Sequence, residues 1–317
     1  MKRALLIGID SYDRFSGLNG CVNDVHALSP LLTRNEDGSP NFDCQTRTSD
    51  RDRVDRQLMI QAVDALLAPG ANVALFYFAG HGDAARNDVH LVTQDGTNAE
   101  AGLPLSTILG KVQGSNVPEV IIILDCCFAG GAGGVPQLGN DVATLRSGVT
   151  ILAAARNDQP AAETPNGRGK FSFFLCGALD GGAADVLGKV TLAGVYAYLS
   201  ESFGPWDQRP TFKANVDRLH ELRMCSQAVP LENLRRLPEF FPDPDADFPL
   251  DSSYEPDADP PHPEHQEVFA ILQKCVAAKL VQPIGAEHMY FAAMQSQACR
   301  LTPLGKHYHR QARQGRL

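Results

Sequence analysis

Four short, continuous apolar runs set the strongest limit on how this chain folds: residues 4–9, 73–78, 120–124 and 150–153. None of them alternates apolar with polar residues. A strand with one wet face alternates, whereas a continuous run marks a strand buried on both faces, as in a parallel sheet covered by helices. Amphipathic stretches lie between the runs. Val22, Val25, Leu28, Leu31 and Leu32 share one helical face, and Val54, Leu58, Ala62, Ala65 and Leu66 share another. Residues 171–179 and 192–199 continue the helical pattern. Parallel neighbours need crossovers of one hand, which bring helices to both faces of the sheet. The pattern predicts a doubly wound α/β domain over residues 1–224.

The composition changes after that point. Residues 238–263 hold eight prolines, six Asp and two Glu, with no Lys or Arg. Proline lacks a backbone donor and like charges repel, so residues 225–263 read as an extended linker. Phe240, Phe241, Phe248 and Tyr254 are unusual for a free linker and suggest that part of it lies along a surface. Residues 264–317 read as a small helical or winged-helix-like domain, with seven Lys/Arg against three Glu. Thr302 is placed to cap its last helix, with Pro303 at the first helical position. Val268, Phe269, Leu272, Val276 and Leu280 recur at helical spacing and need a partner surface inside or outside the segment. His307 and His309 read as solvated.

The net charge of −9 argues against a general nucleic-acid or membrane-surface binder, which usually carries a cationic face. No run approaches the roughly 20 apolar residues that span a bilayer. The first ten residues have two basic positions and a short apolar run, but Asp10 follows without a small-residue cleavage site. A first core strand is the better reading, and a cytoplasmic location is expected. The eight cysteines are scattered, with no C-x-x-C pair, so neither a zinc site nor a dithiol motif is indicated.

In a parallel sheet, ligands bind outside the carboxyl ends of the strands. Ala79-Gly80-His81-Gly82 follows the second run, and Asp125-Cys126-Cys127-Phe128 follows the third. A histidine and a cysteine at the same sheet edge suit nucleophilic catalysis, because an imidazole can take the proton of a thiol that is otherwise mostly un-ionised. The amides of Gly82 and Cys127 are candidates to bind the oxyanion of a tetrahedral intermediate. Strand alternation turns Cys126 away from Cys127 and into the core.

These segments also resemble a family. Tyr77-Phe78-Ala79-Gly80-His81-Gly82, a spacing of 46 residues from His81 to Cys127, and Asp125-Cys126-Cys127-Phe128-Ala129-Gly130 are similar to the caspase-like peptidases, closest to the metacaspase branch. The resemblance covers roughly residues 1–220. It implies a caspase-hemoglobinase-like fold and a catalytic dyad of His81 and Cys127, since the third residue of the family's D-x-C pattern is the nucleophile. It also implies an acidic pocket formed by Asp125 and by Asp24 of Cys21-Val22-Asn23-Asp24. Such a pocket favours a guanidinium or an ammonium, hence cleavage after Arg, then Lys. The chain departs from the pattern at Phe128-Ala129-Gly130, where the family usually has His-Ser-Gly, and at Ala79, where Ser is frequent.

The expected function is thus a cysteine endopeptidase acting on protein substrates with Arg or Lys at the cleavage position. No cofactor is assigned, and calcium activation, found in many metacaspases, is left open. Self-cleavage is expected at Arg146 of the glycine-rich loop at 130–148 first and at Arg168 next, both in glycine-rich segments that read as exposed and able to enter an active site in extended form. The alternative is a catalytically silent scaffold or adaptor that signals through its C-terminal domain. For that domain an acidic protein partner suits the modest basic excess better than nucleic acid does.

Overall fold

The computed structural model describes residues 1–85, 88–128, 145–154, 168–204 and 210–317, with the backbone alone at 84, 85, 127 and 128. The chain divides into two compact units: Met1–Ala184 with Lys189–Cys225, and Asp185–Gly188 with Ser226–Leu317.

The first unit is built on a mostly parallel sheet. Its strands are β1 (Lys2–Gly8), β2 (Phe42–Thr48), β3 (Val73–Ala85), β4 (Asp88–Val92), β5 (Gly102–Pro104), β6 (Glu119–Phe128) and β7 (Val149–Ala153). A short pair, β8 (Lys189–Thr191) with β10 (Glu221–Met224), stands apart, and β9 (Thr211–Asn215) returns to the main sheet. The order across the sheet is β2-β1-β3-β6-β7-β9, with β4 and β5 added beside β3. Pairing is parallel from β2 to β7 and antiparallel at β9.

Among the described residues, the α-helices that cover the two faces are α1 (Cys21–Thr33), α2 (Arg56–Leu66), α3 (Leu105–Gly114), α4 (Lys170–Gly177) and α5 (Leu192–Ser202). Alternation along each strand sends successive side chains into different layers. Leu5, Ile7, Phe76 and Ile122 pack with Met59 and Val63 of α2 and Ile108 of α3. Ala4, Leu6, Leu75, Tyr77 and Ile121 pack with Val25 and Leu28 of α1, Leu175 of α4 and Val195 of α5. This is the expected doubly wound α/β arrangement. Residues 42–48 gave no such expectation, because Phe-Asp-Cys-Gln-Thr-Arg-Thr is a half-polar edge strand on which only Phe42 and Thr48 are fully buried.

Two boundaries differ from the sequence reading. β3 continues past Phe78 to Ala85, and β6 continues past Leu124 to Phe128. His81 and Cys127 therefore lie within strands, not beyond their ends. The extension of β3 is held from Gly82 onward by antiparallel β4, a partner that no sequence signal announced.

The stretch expected to be a linker is instead folded into the second unit. It carries α6 (Leu231–Arg235), α7 (Leu237–Phe240) and β11 (Phe248–Pro249). Beyond it lie α8 (Pro263–Ala277), β12 (Val281–Ile284), α9 (Met289–Met294), β13 (Ala298–Leu301) and α10 (Pro303–Arg313), the three strands pairing antiparallel as β11-β13-β12. Phe240, Phe241 and Leu250 join Phe269, Leu272, Leu280 and Cys299 in one core. Each large apolar side chain fully buried contributes about 2 kcal/mol, and these anchors outweigh the repulsion among exposed acids that suggested an open chain. The helical stripe of α8 thus finds its partner surface inside its own unit. His309 is buried, its Nε2 2.8 Å from the Phe241 carbonyl, and so is not the solvated residue expected. Thr302 caps α10 as its sequence indicates, accepting from the Gly305 amide at 3.1 Å. Among the described residues, no helix is long and apolar enough to cross a membrane.

Candidate active site

The parallel register of β3 and β6 pairs Ala79 with Asp125, Gly80 with Cys126, His81 with Cys127, and Gly82 with Phe128. Neighbouring strands run about 4.8 Å apart, so the His81 and Cys127 backbones are direct neighbours. Cys126 is buried in the same layer as Leu124 and Ile122, as alternation requires. Gly82 is the point at which β3, still beside β6, also takes up β4 through Leu91.

The half-buried His81 is held by the loop between β1 and α1. Its Nε2 lies 2.8 Å from the Ser16 carbonyl. A carbonyl only accepts, so the neutral ring carries its proton on Nε2 and leaves Nδ1 as the basic nitrogen. The Tyr12 hydroxyl accepts the His81 amide proton at 2.9 Å, and its ring lies 4.9 Å from the imidazole. Neither Tyr12 nor Ser16 was singled out from the sequence. A backbone carbonyl leaves no trace in residue identity, and a tyrosine near the first strand has no diagnostic spacing.

Asp24, on the first turn of α1, is only 2% exposed, and Asp125 4%. The Tyr77 hydroxyl donates to Asp125 Oδ2 at 3.3 Å. Asp24 accepts from the Ser172 hydroxyl, from the Gly169 amide at 3.2 Å and from Arg168 Nε at 3.4 Å. It therefore joins α1 to the first turn of α4. Burial pushes the Asp24 carboxyl up to about 6, and the charge of Asp125 adds to this, while Ser172, Gly169 and Arg168 oppose it. Cys21 is pushed well up by burial and then by the charges of Asp10, Asp125 and Asp24. Asp10 accepts the Cys21 and Val22 amides at 2.9 and 3.3 Å, supplying the start of α1 with an acceptor that its N-cap Gly20 lacks. The acids of this edge thus form one electrostatic group.

The residues expected to accept self-cleavage are anchored. Arg146 donates to the Val112 and Val117 carbonyls at 2.9 and 2.8 Å. Arg168 donates to the Ser172 carbonyl at 3.2 Å and to Cys176 Sγ at 3.0 Å. Both guanidinium groups are tied into folded structure, against the expectation of exposed, extended segments. Most of the glycine-rich loop, residues 129–144, lies outside the described residues.

The Caspase domain family matches residues 1–218. Metacaspase-2 of Trypanosoma brucei brucei is 27% identical over 206 residues, covering 52% of this chain and 56% of its own length. Metacaspase-1 of Mycosarcoma maydis is 26% identical over 222 residues, covering 61% of this chain and 53% of its own. The chain thus spans about half the length of these curated relatives. A crystal structure of a protein from Geobacter sulfurreducens aligns over 71% of this chain and 99% of that one, with a TM-score of 0.50 at 16% identity, a likeness of fold alone.

Proposed function

Because this chain belongs to the caspase-domain family, we propose that it is a cysteine peptidase that cuts after Arg, then Lys, with Cys127 as nucleophile and His81 as its base. The observation that carries this reading is the register match of His81 with Cys127, combined with an imidazole whose Nε2–H is spent on the Ser16 carbonyl. Nδ1 is then the nitrogen that takes the thiol proton. The thiolate attacks the scissile carbonyl carbon, and the electron pair of the C=O bond moves onto oxygen. The amides of Gly82 and Cys127 receive that oxyanion. Collapse of the intermediate breaks the C–N bond, and the imidazolium returns its proton to the leaving amine. Water then hydrolyses the thioester, with the same imidazole as base, and the free thiol is restored.

Asp24 and Asp125 form the proposed recognition pocket for the basic side chain. Asp24, which accepts from Arg168, and Asp125, whose charge acts on Asp24, supply the negative charge that the guanidinium or ammonium of a substrate Arg or Lys would meet. The bidentate fork of Arg gains more from paired carboxylates than an ammonium does, which sets the order Arg before Lys. The thiol–imidazole chemistry uses no cofactor. Assays with added calcium and with chelator decide whether calcium activates the enzyme.

The second unit is proposed to recruit an acidic partner protein, through the basic residues that α10 presents in its last turn, Arg310 and Arg313. The catalytic reading is tested with fluorogenic peptides carrying Arg, Lys, Asp or Asn at the cleavage position, presented to the wild type and to Cys127→Ala. Turnover of Arg and Lys peptides that vanishes in Cys127→Ala is the expected result. A library in which Asp outranks Arg overturns the specificity.

A further inference from the structure

β1 stops at Gly8, opposite Ala79 of β3, and the Ile9 amide makes the last bond of that ladder, to the Ala79 carbonyl at 3.0 Å. His81 follows two residues later, so its backbone faces the same side as that of Ala79, where among the described residues no strand continues. A strand amide that is largely shielded from water needs an acceptor. The Tyr12 hydroxyl supplies it at 2.9 Å and donates its own proton to the Ile9 carbonyl at 3.0 Å, bridging from the end of β1 to His81. The Tyr12 ring, tilted at 45°, covers one side of the imidazole. Gly80 leaves the space for this, because a Cβ there would lie 2.8 Å from the Tyr12 hydroxyl oxygen.

We propose that Tyr12 is a positioning residue for His81: it replaces the missing strand, fixing the backbone and one ring face so that Nε2 stays on the Ser16 carbonyl and Nδ1 stays available as the base. The inference rests on the reading of His81 as the base. Tyr12 is a positioning group because it holds the amide and the ring, not the reacting atoms. Burial pushes its own phenol pKa up, so the hydroxyl stays neutral and keeps both bonds.

The test uses the full chain labelled with 15N-histidine, with the His81 signals identified by their loss in His81→Gln. In the wild type the neutral ring is expected in the Nε2–H tautomer. In Tyr12→Phe, which keeps the ring and loses both bonds, a mixture of tautomers is expected, with kcat toward an Arg peptide down about tenfold and KM within about twofold. Gly80→Ala, which drives a Cβ against the hydroxyl from the other side, is expected to reproduce both changes, and it carries the test alone if Tyr12→Phe does not fold. A folded variant with an unchanged His81 tautomer and an unchanged kcat overturns the proposal. A wild type that cleaves no peptide sinks the peptidase reading, and the tautomer measurement then decides the Tyr12 inference by itself.

Discussion

The two halves of the candidate site are held by different physics. Around His81 the partners are neutral: a tyrosine hydroxyl, a backbone carbonyl and an aromatic face. Around Asp24 and Asp125 the partners are charges under burial, with Arg168 opposing and Asp10 and Cys21 nearby. Neutral hydrogen bonds fix direction and respond little to salt or pH, whereas buried charges respond strongly to both. The difference teaches that the His81 side is sensitive to geometry, and the acid side to titration and to loss of charge.

The comparison is tested hardest at the dyad. Cys127→Ala and His81→Ala are each expected to lower kcat by about 10³-fold or more with the melting temperature maintained, because members of a unit fail together. Cys126→Ala, one residue away in the other layer, should keep most of its activity. A dead Cys126→Ala beside an active Cys127→Ala would falsify the assignment of the nucleophile.

Loss of charge at the other half is expected to cost less and to be selective. Asp125→Asn or Asp24→Asn should lower kcat/KM for Arg peptides by about 10²-fold, the scale of a buried cation deprived of its partner. Residual cleavage of a neutral peptide should hardly change. Equal losses on both peptides would mean that these acids support the fold and not the substrate.

Titration separates the halves further. The Asp24 carboxyl sits near 6 in the folded protein against an ordinary 3.8, so the native state binds the extra proton between those values. Stability is therefore highest below about pH 4 for this group, and falls as pH rises toward 6, by about 3 kcal/mol. Urea unfolding at pH 4 and at pH 7 should show this loss in the wild type and not in Asp24→Asn. Recognition should run the opposite way, with the preference for Arg peptides weakening as pH falls through about 6. A preference that is flat from pH 5 to 8 would remove Asp24 from the pocket.

The smallest effect is expected from removal of the second unit. A chain ending at Cys225 should cleave small Arg peptides within about twofold of the full chain, while capture of an acidic partner protein is lost. A chain ending near residue 238 would instead cut through the core formed by Leu237, Phe240 and Phe241. Failure of the folded, shortened chain on small peptides would make the second unit part of the enzyme.

Much of the first unit could be read from residue order, because burial on both faces leaves continuous apolar runs and helical stripes leave a period of 3.6. Those patterns located the strands that carry His81 and Cys127, and the family resemblance pointed to Asp24 and Asp125. β2 was hidden because it is a half-polar edge strand, and Phe240, Phe241 and Leu250 were outweighed in composition by proline and aspartate. Only the tertiary structure decided that β3 and β6 run on to set His81 beside Cys127, that Tyr12 takes over where β1 ends, and that Arg168 and Ser172 reach Asp24 from 144 and 148 residues away. Periodicity records the environment of a residue along its own element. It carries no record of which distant hydroxyl, carbonyl or guanidinium satisfies that residue's polar groups once the elements pack.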